Sequence, residues 1–504
     1  MLETAYLIMS FLLLAYCIRM IVFLHYSYKH ISKPGQTNNG QKSILSMSDK
    51  NNKRHQWVTF NDDTVIADKL TILETNYQSQ DPKLRQYESE SISAATDLAG
   101  TKLAKCAEYN LSSVVSIIVA TRNEESIIDG LLNSLNMLTY DSNKFEVIVV
   151  DDSSDSTFRI LEGWKKRMEN LKIIKRNQKI GWKGGALNLA LEYLRRDSEY
   201  VIILDADVIV APHIIEEFLS TLLNCKNTCD AIQGYCAPYN CQLQSAKSYN
   251  WVSKGVEYRL AQRNMIEFVA RNKLNLPVQI TGNLFMIKTS TLRDIGFSND
   301  LCEDWDLTLQ LYLRKRDRPG QTETKNIPDL SRRTILFNEK LNAGIQVPTS
   351  FSSYFMQRLR VSEGHTRGFI KMIPRFVKNK QPIKNKIEVF LSGLHYLKNT
   401  IVLSLLLFDL YAVMVPDLKT FNALSITSFS IQLFCLCSFI ITNVIGVVIC
   451  SSTSKQYNFS FIISKLLLDI CTLPATIIGS LLGILRKKGT FYKTRRIRIM
   501  QVSK

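Results

Sequence analysis

Asp205 and Asp207 stand one residue apart at the end of an apolar run, residues 200–204 (YVIIL). A continuous apolar run is how a strand buried on both faces reads. Acids at its carboxyl end lie where open α/β sheets bind ligands. Two carboxylates so spaced can share a divalent cation with a substrate diphosphate, because Mg²⁺ is commonly held by one or two carboxylates plus phosphate oxygens. That chemistry is metal-dependent and acts on a nucleotide. A plain strand end with capping residues gives the same pattern, so the pair alone leaves both readings open.

Other polar residues fall at equivalent places. One apolar run ends in ATRNEE (120–125) and another in VVDDSSDST (149–157). Thr121, Asn123, Glu124, Asp151 and Asp152 therefore sit at the ends of neighbouring strands, where carboxylates can accept from a nucleotide base and ribose. Asp and Ser also cap strand-to-helix turns, and both roles can hold at once. In KIGWKGGALNLAL (179–191), Gly184 and Gly185 permit close backbone approach to a ligand at a helix start, and Lys183 adds positive charge there. Glu303 and Asp304, in LCEDWDLTLQL (301–311), open a helix. Acids in a first turn suit the helix dipole. A carboxylate there can also take a proton from an attacking hydroxyl.

A regular rhythm positions these residues. Runs at 113–120, 145–150, 171–174, 200–204, 230–236 and 283–288 predict strands. Stretches near 124–137, 155–169, 184–196, 211–223 and 304–315 predict helices. The alternation implies an α/β fold with a doubly wound, mainly parallel sheet.

Apolar blocks flank this region. Residues 5–24 are long enough to cross a bilayer. The block lacks a basic leader and a small-residue cleavage site, which predicts a retained anchor over 1–30. Arg19 within it is expected to snorkel to the interface. Lys29, Lys33 and Lys42 after the block predict an outside N-terminus, with the chain after residue 25 in the cytoplasm. Residues 31–110 read as a linker, rich in Asn, Ser and Lys at first, and a polar lead-in. Three further blocks at 387–415, 421–451 and 459–485 make a C-terminal membrane region. Three crossings would separate the catalytic region from the basic tail 486–504, so one block is expected to lie in the interface or re-enter. The candidates are the stretch near 387–395 and the block holding Lys465, Asp469 and Pro474.

The formal net charge is +18, which calls for an anionic partner. The tail follows an apolar block and reads as a membrane-surface anchor. No nucleic-acid-binding motif accompanies it, and no nucleic-acid partner is expected. The eleven cysteines lack the paired C-x-x-C spacing of a zinc ribbon and read as free thiols.

The ordered set VSIIVATRNEE, VIVVDDSSD, GWKGGALN, LDAD, TGNLF (281–285), CEDWD (302–306) and QRLRV (357–361) resembles the membrane-integrated family 2 glycosyltransferases, relatives of cellulose, mannan and hyaluronan synthases. The likeness covers about residues 113–365, and the tail segment KGTFYKTRR shares it. It implies a nucleotide-diphospho-sugar transferase domain of GT-A type over 111–386, a membrane region over 387–485, and an inverting hexosyltransferase. The implied donor is a UDP- or GDP-sugar, the acceptor a saccharide or lipid-linked glycan, and the setting a lipid bilayer of the cell membrane or an internal membrane. By the same resemblance Thr121, Glu124, Asp151, Asp152 and Lys183 hold the nucleotide. Asp205 contacts the donor, and with Asp207 the metal, Mg²⁺ or Mn²⁺. Asp304 is the base. Thr281, Gly282, Asn283 and Glu303 line the acceptor end, and Gln357, Arg358 and Arg360 meet the diphosphate.

One departure is Val361, which stands where the family pattern has a tryptophan resembling a stacking platform for the acceptor sugar. Valine has no π-face, so a lipid-linked or short acceptor gains weight over processive synthesis. Readings of other classes are a non-catalytic nucleotide-binding membrane module and a nucleotidyl- or phosphosugar transferase.

Overall fold

The computed structural model describes residues 2–31, 113–177, 180–225, 229–238, 249–313, 335–414, 422–451 and 457–486. The linker and lead-in expected up to residue 110, and the basic tail after Arg486, lie outside the described residues.

The strands form where the apolar runs predict them. They are β1 (Val115–Thr121), β2 (Phe145–Asp151), β3 (Leu171–Lys175), β4 (Tyr200–Asp205), β6 (Ala231–Pro238) and β7 (Leu284–Lys288). Two more complete the sheet: the short β5 (Ile209–Val210) and β8 (Ile335–Ile345). The order is β3-β2-β1-β4-β7-β6-β8-β5. The first four strands are mutually parallel. Beyond them the sheet is mixed, because β7 runs antiparallel to both β4 and β6 while β8 is parallel to β6.

Every residue of β2 is buried, Glu146 included. That carboxylate is tolerated because Ser116 Oγ (2.6 Å) and the Arg195 backbone N–H (2.8 Å) donate to it, and Lys172 Nζ lies 2.6 Å away.

The helices between the strands are α2 (Ile128–Asn136), α3 (Thr157–Lys165), α4 (Trp182–Glu192), α5 (Ile214–Asn224) and α6 (Trp251–Gln262). The last runs through a π-helical turn, Arg263–Phe268, into α7 (Val269–Lys273). After it come α8 (Thr289–Ile295), α9 (Glu303–Leu313) and α10 (Phe351–Lys378). A core of Ile118, Ile148, Ile203 and Phe285 from the sheet closes against Ala186, Leu187, Phe268, Leu307 and Leu311. This fastens α4 and α9, the two helices that carry charged site residues, to the sheet.

The remaining helices are the mixed α11 (Ile383–Gly393) and the apolar α1 (Leu2–Ile31), α12 (Leu397–Met414), α13 (Asn422–Ser451), α14 (Phe459–Cys471) and α15 (Leu473–Leu485). By length and composition α1 and α13 can each cross a membrane. The pairs α11–α12 and α14–α15 are bent by 70° and 45°. Both breaks fall in the segments expected to hold an interfacial or re-entrant element, and Pro474 opens α15 because proline suits a first helical turn.

Arg19 does not snorkel. It is buried in an ion pair with Glu388 (2.7 Å) and lies 3.7 Å from Glu267. Carboxylates from α11 and the π turn supply in the interior what the interface would have supplied.

Candidate active site

Parallel register brings the strand ends together. Ala120 lies opposite Asp205, and Thr121 opposite Asp151. Thr121 Oγ1 (2.8 Å) and Ser153 Oγ (2.5 Å) both donate to Asp151 Oδ1. Asp151 is fully buried, and its Oδ2 has no hydrogen-bond partner among the described residues. Glu124 sits at the same edge, its backbone N–H donating to Thr157 Oγ1 at 2.8 Å. Asp155 Oδ1 accepts from Thr157 N (3.0 Å), so an Asx turn shapes the start of α3.

Asp152 is used differently from its neighbour. Arg176 grips it with Nε (2.7 Å) and Nη2, and both side chains are buried. Arg176 also donates to the carbonyls of Ile180 (2.8 Å) and Trp182 (3.1 Å), which ties the loop before α4 to β2. Arg176 was not singled out from the sequence, where it is one cation among many after β3. Arg176→Met leaves a buried carboxylate without its partner and is expected to cost about 3–5 kcal/mol. The check is a lowered thermal unfolding midpoint in detergent relative to wild type.

Lys183, in the first turn of α4, gathers the charged residues. Its Nζ lies 2.7 Å from Asp205 Oδ1 and 3.1 Å from Glu303 Oε1, and it donates to the Gly282 carbonyl at 2.9 Å. Burial works against its charge, but these carboxylates prevail and raise its pKa. The strand-end acid, the α9 acids and the loop at 281–283 thereby meet on one ammonium. Gly184 keeps its place for a reason other than ligand approach: a Cβ there would come within 2.0 Å of the Ser298 carbonyl. Backbone, not ligand, is what it lets near.

Asp304 is half-buried in this cluster. Burial first, then the Glu303 charge, push its carboxyl up to about 7, while Lys183 and the Trp305 backbone N–H oppose the rise. That N–H donates to Oδ1 at 2.8 Å. On the Oδ2 side stands Gly282, with φ +75°, where an added Cβ would meet Oδ2 at 3.2 Å. Thr281 Oγ1 donates to Asn283 Oδ1 at 2.8 Å, and Gln233 Oε1 accepts from Thr281 N at 2.9 Å. This loop therefore packs on the α9 acid. Gly282→Ala combines a left-handed backbone with crowding of Asp304. It is expected to lower turnover at least about tenfold, with little loss of nucleotide affinity, as read by steady-state kinetics beside nucleotide titration.

The donor set at Asp205 and Asp207 fits a divalent cation. Both ligands are hard oxygens on the tight turn that follows β4, where Val208 N donates to the Asp205 carbonyl at 3.1 Å. Asp205 is partly open and Asp207 buried. Among the described residues no three His, Cys, Asp or Glu side chains form a complete cage. Substrate oxygens would have to finish the coordination.

Helix α10 does not present its basic residues to one place. Arg358 and Arg360 are two residues apart, about 200° around a helix. Arg358 stacks over the Tyr396 ring at 4.8 Å, whereas Arg360 is close enough to Cys302 to act on it electrostatically. The two side chains therefore have different neighbours. Gln357 is half-buried on the same turn. Val361 packs with Cys302 and Trp305 against α9, and its carbonyl accepts from Cys302 Sγ at 3.6 Å. His365, one turn on, stacks on Trp305 at 4.3 Å.

Residues 116–278 match the model of Glycosyl transferase family 2. A "Probable glycosyltransferase" of Sulfolobus acidocaldarius is 24% identical over 313 residues, 61% of either chain. A "Beta-monoglucosyldiacylglycerol synthase" of Trichormus variabilis is 30% identical over 213 residues, 40% of this chain and 42% of the relative. Both alignments span less than two thirds of those relatives. Among solved structures, "Mannosyltransferase PcManGT from Pyrobaculum calidifontis in complex with GDP-Man and Mn2+" aligns with a TM-score of 0.49 at 18% identity, over 78% of this chain and 98% of that one. The segment from β1 through α7, with Asp151, Lys183, Asp205 and Asp207 in it, is a Glycosyl transferase family 2 domain.

Proposed function

We propose that the protein is an inverting, metal-dependent glycosyltransferase that moves a hexose from a UDP- or GDP-sugar to a lipid-linked or short saccharide acceptor at a membrane. One observation carries this reading. A half-buried carboxyl raised toward neutrality, Asp304, stands in the same cluster as the strand-end acid Asp205, the α9 acid Glu303 and their shared Lys183. A module that only bound nucleotide would have no use for such a base.

Asp151, with Thr121 and Glu124 at the same edge, supports a nucleotide site, since its unpaired buried oxygen can accept from a base or ribose. Asp152 supports that site indirectly, through Arg176. Asp205 and Asp207 would hold Mg²⁺ or Mn²⁺, which supplies charge stabilisation for the departing diphosphate. Lys183 orients Asp205 and Glu303 and adds a fixed positive charge beside them. Asp304 takes the proton of the acceptor hydroxyl as its oxygen attacks the anomeric carbon. Attack from the side opposite the leaving diphosphate inverts that carbon.

A lipid-linked acceptor is favoured by three features. The domain is packed onto membrane-length helices. A relative carries a glycolipid synthase name. Val361 is packed against α9 and offers no stacking platform. The test incubates membranes containing the protein with radiolabelled UDP- and GDP-hexoses in Mg²⁺ or Mn²⁺. Label passing to the lipid phase with release of nucleoside diphosphate supports the reading. A ladder of long chains would overturn the short-acceptor part. Release of nucleoside monophosphate or pyrophosphate would overturn glycosyl transfer itself.

A further inference from the structure

A second charged cluster lies between the catalytic domain and the apolar helices, and the transfer chemistry makes no use of it. It begins on the α6 face with Arg259 and, one turn on, Arg263. The latter is close enough to Asp304 for the two charges to act on each other. Arg358 of α10 adjoins Arg259. Farther out, on apolar helices, are Lys398 of α12 and Lys465 of α14, within electrostatic reach of Arg259 and of each other.

Carboxylates answer only part of this charge. Glu388 and Glu267 balance Arg19 and Arg271, with contacts of 2.7–3.7 Å. Asp469 is shared by Arg259 and Lys465, the latter at 2.9 Å. Arg263, Arg358 and Lys398 have no carboxylate in ion-pair contact among the described residues. The Nε atoms of Arg259, Arg263 and Arg358 are buried without a hydrogen-bond partner. The histidines beside them do not help: burial lowers the pKa of His365 to about 3, so it stays neutral. Aromatic rings line the cluster, with Tyr396 beneath Arg358 (4.8 Å), Tyr16 near Lys398 (5.5 Å) and Phe439 near Lys465 (5.0 Å).

Lys465 is buried and Arg259, Arg263, Arg358 and Lys398 are half-buried; cations so withdrawn from water in excess of their counter-charges are costly unless an anion completes them. Guanidinium groups with free N–H donors match phosphate oxygens in particular. The donor nucleotide belongs at the strand ends, whereas this cluster reaches onto α12 and α14, so the anion comes from the membrane side. We infer that the cluster formed by Arg259, Arg263, Arg358, Lys398 and Lys465 binds the phosphate of a membrane lipid and holds its headgroup below Asp304. The headgroup's direction toward Asp304 rests on the proposed transfer reaction; the binding itself does not.

The experiment is native mass spectrometry of the full chain in detergent, with phosphatidic acid, diacylglycerol of the same tails, or inorganic phosphate added. Phosphatidic acid is expected to be retained at least about tenfold better than diacylglycerol, a difference of about 1.4 kcal/mol. Arg358→Gln and Lys398→Gln are each expected to remove that preference, while the exposed-surface variant Lys165→Gln keeps it. Thermal melting identifies any variant that fails to fold, and Lys465→Gln then replaces it. Equal retention of the two lipids, or an unchanged preference in the folded variants, overturns the inference. Inorganic phosphate bound as tightly as phosphatidic acid overturns the lipid source. Absence of sugar transfer would leave this binding result standing, so the two proposals fail separately.

Discussion

Asp304→Asn is expected to lower kcat by about 10²–10⁴-fold, the range that a positioned general base contributes, while nucleotide binding stays within about twofold. The amide keeps the size of the side chain and can still accept from the Trp305 N–H, but it cannot take a proton. Rates and nucleotide titrations on the same purified protein check it, and near-wild-type turnover would remove Asp304 from the role. The wild-type pH profile tests the same assignment. Burial and Glu303 raise the Asp304 carboxyl to about 7. Below that value the proton is already in place and the base is unavailable. Turnover should therefore fall about tenfold per unit as pH drops below neutrality, rather than holding down to the usual carboxylate range near pH 4. An acid limb near pH 4 would show that the titrating base is another group.

Asp207→Asn is expected to reduce turnover by about 10²-fold or more, because a metal's charge stabilisation is worth several kcal/mol in the transition state. The same variant should weaken Mn²⁺ binding in the presence of nucleoside diphosphate, read by paramagnetic resonance without any turnover. Chelation of divalent cations in the wild type should match the variant's loss, and adding Mn²⁺ back should restore only the wild type. Asp205→Asn should behave alike in metal binding but carry a further defect, since it also removes the 2.7 Å partner of Lys183. Full activity of the wild type in chelator would refute metal dependence.

The strand ends were readable because a parallel sheet aligns its carboxyl edges wherever apolar runs stop. Thr121, Asp151 and Asp205 needed only that rule, and β1, β2 and β4 end within a residue of where the runs end. The acids of α9 were readable as a first helical turn. β8 was not foreseen, because ILFNEKLNAGI does not read as a sustained apolar run. Glu303 lies 3.1 Å from Lys183, a partner that was not foreseen. That pairing joins positions 120 apart in sequence, which no local pattern reports.

The sequence by itself determined an α/β domain between apolar helices, the strand-end placement of its acids, and the helix that opens with Asp304. These follow from periodicity and chain direction, which are local properties. The tertiary structure decided which cation meets which carboxylate: Arg176 with Asp152, Lys183 with Asp205 and Glu303, and Arg19 with Glu388. It also set Arg358 over the Tyr396 ring and beside Arg259. Coulomb partners are chosen by distance in space and by burial, and only the packed chain supplies either.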